Sequence, residues 1–213
     1  MTRSLNFFAL ALTTALLSPA MAGTITIGNT AVAAPDHFAD FEGPAIANQI
    51  TNQFAASGLT FTPISGTGIA LINNDSCNNA GQGVTGNYLY MGVSAPCYYS
   101  YATDAVSIKF NSNVSELSWT GFSYGDSYTI SALLDGTVVS SLILNSSNQF
   151  VDQTVLFTGS VFNELRFVES DSNNLFAIDN MSWKSAAAVP LPGSVALLGI
   201  GMLGMAAARR RRK

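Results

Sequence analysis

Between Thr24 and Trp183 hydrophobic and polar residues alternate in short runs, broken by Gly, Asn, Asp and Ser. That period of two, punctuated by turn formers, predicts strands rather than helices. Thr24-Ile25-Thr26-Ile27 alternates and stops at Gly28, which predicts a short opening strand. Leu59–Thr62, Gly68–Ile72, Tyr88–Met91, Ala105–Phe110 and Leu117–Tyr124 read as further strands. In the last of these, Leu117, Trp119 and Gly121 share one face, while Phe122 and Tyr124 share the other. A bulge near Gly121 would account for the change of face. Tyr128–Leu134 leads into Asp135-Gly136, and Thr137–Leu144 returns. Asp-Gly supplies the positive φ angles of a type I′ turn, so this segment is a hairpin. Thr154–Phe157, Leu165–Val168 and Leu175–Trp183 complete the series. One helix is expected, where Ile46, Ile50 and Phe54 recur at four-residue spacing before Gly58. No internal repeat is visible. The expected fold class is all-β, a β-sandwich or jelly roll.

Both ends of the chain follow different rules. Arg3, the apolar run Leu5–Leu17 and Ala20-Met21-Ala22 before Gly23 form a cleavable signal peptide over residues 1–22. No cysteine directly follows the cut, which argues against a lipoprotein. At the other end, Val189-Pro190-Leu191-Pro192-Gly193 precedes an apolar stretch from Ser194 to Ala208 and the cations Arg209, Arg210, Arg211, Arg212 and Lys213. The two prolines hold their segment extended. At about 1.5 Å per helical residue, the apolar stretch covers only part of a ~30 Å hydrocarbon core, so flanking residues must complete a transmembrane helix. The cationic cluster is a membrane stop held on the cytoplasmic side. The chain therefore divides into a signal peptide (1–22), an extracellular β-domain (23–184), an Ala-rich linker (185–188) and a C-terminal signal (189–213).

The order of proline-spaced motif, apolar helix and Arg-rich tail resembles the PEP-CTERM sorting signal in its VPLP-type variants. Leu191 stands where the commonest form has Glu between the prolines. The resemblance implies export by the secretion machinery and an inner-membrane-tethered precursor. It implies processing by an exosortase, a membrane protease or transpeptidase, near Pro190–Pro192. The product would lie at the cell surface or outside a Gram-negative-type bacterium, in exopolysaccharide or biofilm. A second, shorter resemblance lies in the body. Asp40-Phe41-Glu42-Gly43, with Asn48–Gln53 and Gly58-Leu59-Thr60-Phe61, looks like the opening of the jelly-roll bodies common in PEP-CTERM proteins. Phe176-Ala177-Ile178-Asp179-Asn180 looks like their closing strand. That architecture is similar to carbohydrate-binding modules, where an early acidic residue and a late Asp share a structural calcium ion. By that resemblance Glu42 and Asp179 would hold Ca²⁺, whose preference is for oxygen donors. The plainer reading has Glu42 capping a turn and Asp179 accepting backbone amides.

Charge narrows the partners. The body carries Lys109, Arg166 and Lys184 against all thirteen acidic residues, a net charge of −10 that the formal −4 of the whole chain conceals. Three cations among thirteen acids leave too little to neutralise phosphates, so nucleic acid and anionic membrane surfaces are poor partners. Cys77 and Cys97 are the only cysteines, and in an exported protein they are expected to form a disulfide. The bridge would stabilise the fold by roughly 3 kcal/mol through lost unfolded-chain entropy. Gly81-Gln82-Gly83-Val84-Thr85-Gly86 matches G-x-G-x-x-G but lies in an Asn-rich loop followed by a strand, without the helix N-terminus that would receive a pyrophosphate.

Tyr88, Tyr90, Tyr98 and Tyr99 cluster around Cys97 and are the candidate sugar contacts, since aromatic faces stack on sugar rings. They serve equally well as sandwich core. His37 is the only histidine and is expected in a polar loop, so neither a multi-histidine metal centre nor a serine triad has its parts. No carboxylate pair stands out for glycoside hydrolysis. The expectation is a non-enzymatic exported surface or matrix protein. The alternative is a glycan-binding protein like a carbohydrate-binding module; a secreted hydrolase and an ice-binding protein rank below both.

Overall fold

The computed structural model describes residues 23–45, 49–66, 69–73, 84–91, 93–94, 98–99, 105–124, 127–144, 150–170 and 175–187. The architecture is organised by one strand. Ala105–Tyr124 (β8) runs unbroken for 20 residues through the mostly polar stretch Asn111–Ser115 that, in sequence, separates two strands. Its first half lies between Leu59–Ser65 (β3) and Phe162–Glu169 (β12). Its second half lies between Phe150–Thr158 (β11) and Leu175–Ser185 (β13). Where it passes from one setting to the other, pairing with β12 jumps from Val114↔Phe162 to Lys109↔Glu164. A bulge of this kind is how a strand turns a corner between two sheets.

The first sheet continues from β12 to the predicted hairpin, Tyr128–Leu134 (β9) and Thr137–Leu144 (β10). Its turn residues Asp135 and Gly136 have φ of 50° and 82°, as a type I′ turn demands. The second sheet continues from β13 to Asn87–Met91 (β5) and Ile69–Asn73 (β4). On its other flank Thr24–Gly28 (β1) pairs with β11. His37–Ala39 (β2) pairs with the last part of β13. A separate two-stranded pair joins Val93–Ser94 (β6) and Tyr98–Tyr99 (β7).

The two sheets pack face to face, so the molecule is a β-sandwich. Rings meet across the layers: Trp119 against Phe167 at 5.8 Å, Phe157 against Phe162 at 4.4 Å, and Phe176 against both Phe167 and Tyr128. These rings, with Leu59, Ile108, Ile130, Leu165 and Ile178, form the main core. Gly23 closes one side of the sandwich. Its N–H donates to Val139 O on β10 at 3.3 Å, and Ser140 Oγ donates to Gly23 O at 2.7 Å, while the next residues pair with β11.

Several expectations need correction. The helix reduces, among the described residues, to a 3₁₀ turn at Ala55–Ser57, although Ile50 and Phe54 are buried as their spacing implied. The two-faced pattern of Leu117–Tyr124 has a different cause. Leu117 and Trp119 face the main core, while Phe122 joins a second buried cluster with Ala70, Ile72, Val84, Tyr88, Tyr90 and Ala177 on the outer face of the second sheet. The bulge sits on the neighbouring strand β11, at Asp152, opposite Phe122 and Gly121. Ser185 belongs to β13, and Ala186 N donates to Asn113 O at 2.7 Å, so the expected linker begins inside the fold. Among the described residues no helix is long and apolar enough to cross a membrane. The signal peptide and the C-terminal helix lie outside the described residues.

Candidate functional site

The expected early and late acidic residues are brought to one place. After β2 the chain runs Asp40-Phe41-Glu42. Phe41 adopts a left-handed backbone, φ 61°, while its ring is fully buried edge-on to Phe54 at 5.0 Å. Seating that ring leaves Asp40 and Glu42 exposed on either side, and Glu42 N donates to Asp40 Oδ1 at 3.2 Å. Glu42 Oε2 accepts the N–H of Asn87 at 3.1 Å. Asp179 sits on β13 beside a bulge, where Asn180 has φ 49°. Its Oδ2 accepts Thr85 N at 3.0 Å and its Oδ1 accepts Asn180 N at 2.7 Å.

Glu42 and Asp179 thus clamp the same tripeptide, Thr85-Gly86-Asn87, from opposite ends of the chain. Gly86 takes φ 60°, and a Cβ there would overlap the Glu42 carboxylate. The last glycine of the G-x-G-x-x-G string therefore serves a carboxylate, not a phosphate. Asn87 completes the arrangement, with its amide nitrogen donating to Glu42 O at 3.5 Å and Pro44 O at 3.4 Å. Its Oδ1 accepts from Asn73 at 2.9 Å. Neither Asn87 nor Thr85 carried a sequence signal beyond the abundance of Asn and Thr.

Burial raises the Asp179 carboxyl to a pKa of about 6, with the nearby charges of Glu42 and Asp40 adding to the effect and the amide bonds of Thr85 and Asn180 opposing it. The folded protein thus takes up a proton between pH 4 and 6 that the unfolded chain does not. The stability contribution of this group is greatest below about pH 4 and declines as pH rises through 6. A shift of about two units corresponds to about 3 kcal/mol. Thermal melts are expected to show stability falling across that window, and Asp179→Asn to flatten it. An unchanged slope in the variant would assign the titration to another group.

Oxygen is the only donor type here, as a hard cation prefers. Each carboxylate oxygen has two lone pairs, so its amide bond leaves one for a cation. Among the described residues no group of three or more His, Cys, Asp or Glu side chains is placed to hold a metal ion.

The body's cations stand near acids. Arg166 pairs with Glu164 at 2.9 Å, Lys184 with Glu116 at 3.1 Å, and Lys109 lies opposite Glu164 in the ladder. Burial raises the Glu164 pKa, but the hydrogen bond from Arg166 and the charges of Arg166 and Lys109 outweigh it and hold the carboxyl below its ordinary value.

Tyr88 and Tyr90 are buried, packed edge-on to each other at 5.7 Å, with Tyr90 also against Phe122 at 5.6 Å. Their rings fill the second cluster and present no face to a ligand. Tyr98 and Tyr99 form β7, and their side chains lie outside the described residues, as do Cys77 and Cys97. Val189 to Gly193 and Arg209 to Lys213 lie outside them as well. His37, expected in a polar loop, stands in β2 with its ring stacked on Trp183 at 5.1 Å and Nε2 within 3.0 Å of Ser185 Oγ.

Among the described residues the exposed aromatic is one that the sequence did not mark. Phe38, 53% exposed, lines an open cleft of about 530 Å³ with Asp40, Phe41, Gly43, Pro44, Gln53 and Ser57. Alternation in a three-residue strand was too short to mark it.

A mostly-β sandwich with acidic residues clamping a loop defines a broad class and no activity. The C-terminal segment narrows it. Residues 188–212 match the family model described as the PEP-CTERM protein-sorting motif. The chain thus carries a PEP-CTERM sorting signal, the mark of an exported protein that is membrane-anchored before processing by an exosortase. No curated protein matches the chain. Among solved structures it is similar to one titled CpGH89CBM32-6 produced by Clostridium perfringens, with 16% identity and a TM-score of 0.34 over 61% of this chain and 94% of that one. A likeness at that level carries no argument.

Proposed function

We propose that this chain is a non-enzymatic surface or matrix protein, delivered by its N-terminal signal, halted in the inner membrane by its C-terminal helix, and released or transferred by an exosortase. The observation that carries the reading is the sorting motif at residues 188–212. A structural or binding role in exopolysaccharide or biofilm is part of the same proposal and is suggested by that address. The acidic body, with its cations near acids, fits a protein that neither binds nucleic acid nor adheres to anionic surfaces. The body is read as a jelly roll, supported by its paired sheets and by the meeting of opening and closing segments at Thr85–Asn87.

Intact mass of the protein from its native host tests the sorting reading. The expected result is loss of residues 1–22 in every case and loss of the apolar tail only when the exosortase is present. A tail retained in both strains would overturn it.

Glu42 and Asp179 are proposed as a structural calcium position. The support is a buried carboxylate whose pKa rises through burial and through acidic neighbours that lack a compensating cation among the described residues. Calcium would neutralise that charge and lock Thr85–Asn87 between the chain ends. Millimolar CaCl₂ is expected to raise the melting temperature and flatten the slope between pH 4 and 6, and EDTA to reverse both. No response to either reagent would leave Asp179 as a plain acceptor of backbone amides.

A further inference from the structure

We infer that the cleft beneath Phe38 is a subsite for a polysaccharide of amine-bearing hexoses. The inference deepens the matrix reading and depends on it only for the presence of glycan near the protein.

Three observations converge on the cleft. The first is an aromatic side chain that the fold does not need. Phe38 lies on β2, whose neighbours Ala39 and Phe41 are buried, yet Phe38 itself is 53% exposed. A large ring left in water beside a concavity is what sugar stacking requires, since the apolar face of a hexose covers it.

The second is the polar lining. Asp40 Oδ1 accepts Glu42 N, and Gln53 Oε1 accepts Thr51 N at 2.6 Å, so both side chains are oriented from within their own turns. The second Asp40 oxygen and the Gln53 amide nitrogen have no partner among the described residues. With Ser57 they supply an acceptor, a donor and a hydroxyl at the rim of a cavity of about 530 Å³. A few placed polar groups around an apolar floor are the ordinary composition of a small-ligand site.

The third is charge. Among the described residues no cation lines the cleft. Asp40 stands there with Glu42 two residues on, on a body of net charge −10. A uronate or sulfated chain would be repelled, whereas a protonated amine would find Asp40. The tyrosine cluster offers no rival platform among its described side chains, because Tyr88 and Tyr90 are buried.

Titration calorimetry on the purified full chain tests the assignment, with hexaglucosamine as probe and cellohexaose and a hexamer of uronate as comparisons. Saturable binding is expected for hexaglucosamine and none for the uronate. Phe38→Ala is expected to weaken binding at least tenfold, and Asp40→Asn several-fold, with melting temperatures within a few degrees of the parent. Because Phe38→Ala leaves the charge unchanged, its effect separates stacking from general attraction to an acidic surface. Hexaglucosamine binding indifferent to Phe38 would overturn this site while leaving a glycan-binding body. Equal binding of cellohexaose, insensitive to Asp40→Asn, would overturn the charge selection. Failure to bind any of the three would overturn both the site and the glycan role, and the sorting reading would still stand or fall by mass.

Discussion

Replacing Gly121 by alanine is expected to destabilise the body more than any other single methyl group added to it. Gly121 lies in β8 between β11 and β13, paired with Gln153 on one side and Ile178 on the other. A Cβ there would run into the carbonyl oxygen of Ala177 and come within 2.9 Å of its carbon. Those are backbone atoms of a central strand, so no rotamer change relieves the overlap. The strands must separate locally, which breaks ladder hydrogen bonds and disturbs both faces of the sheet, with Trp119 on one and Phe122 on the other. Overpacking usually costs 1–3 kcal/mol; with rigid backbone on the receiving side, about 3 kcal/mol or more is expected. For a body of this size that corresponds to a fall of roughly 10 °C in melting temperature. A melting temperature within two degrees of the parent would mean that the strands have room the structure does not show.

Trp183→Ala is the second large effect, and its interest lies in comparison with Trp183→Phe. Trp183 is wholly buried on β13, stacked by His37 and packed edge-on to Phe110 at 5.5 Å. Truncation to alanine leaves a cavity among rings that cannot collapse, and about 3–5 kcal/mol is expected. The indole N–H makes no hydrogen bond among the described residues. Phenylalanine therefore removes an unsatisfied buried donor along with some volume, and the two partly cancel. Its cost is expected below about 1.5 kcal/mol. Urea melts of the two variants decide the matter. A phenylalanine variant as unstable as the alanine one would show that the indole N–H has a partner after all.

The strands were legible because each carries its alternation locally. The hairpin at Asp135-Gly136 needed only two residues whose φ angles the turn dictates. What sequence could not supply was the pairing between distant segments. Asn111–Ser115 reads as a loop because four of its five side chains are polar, yet β8 continues through it, with only Val114 turned into the core. Phe122 looked out of register for a related reason. Alternation presumes one dry face, and the second sheet has two. The candidate site was half readable. Glu42 and Asp179 were identifiable as early and late acids, but their common target, the backbone of Thr85–Asn87, has no side-chain signature. The tyrosines were ambiguous from the start, because an aromatic serves a core and a sugar with the same ring; only burial separates the two uses.

The bond from Ala186 to Asn113 sets a length. From Ala186 to Pro190, even a fully extended chain reaches at most about 14 Å. Under the proposed membrane anchoring, so short a reach would moor the sandwich rather than leash it, with its Asn113–Ser185 end nearest the proline motif. An enzyme arriving from the aqueous side would meet folded protein before it met the proline motif. One embedded in the membrane would meet the motif first.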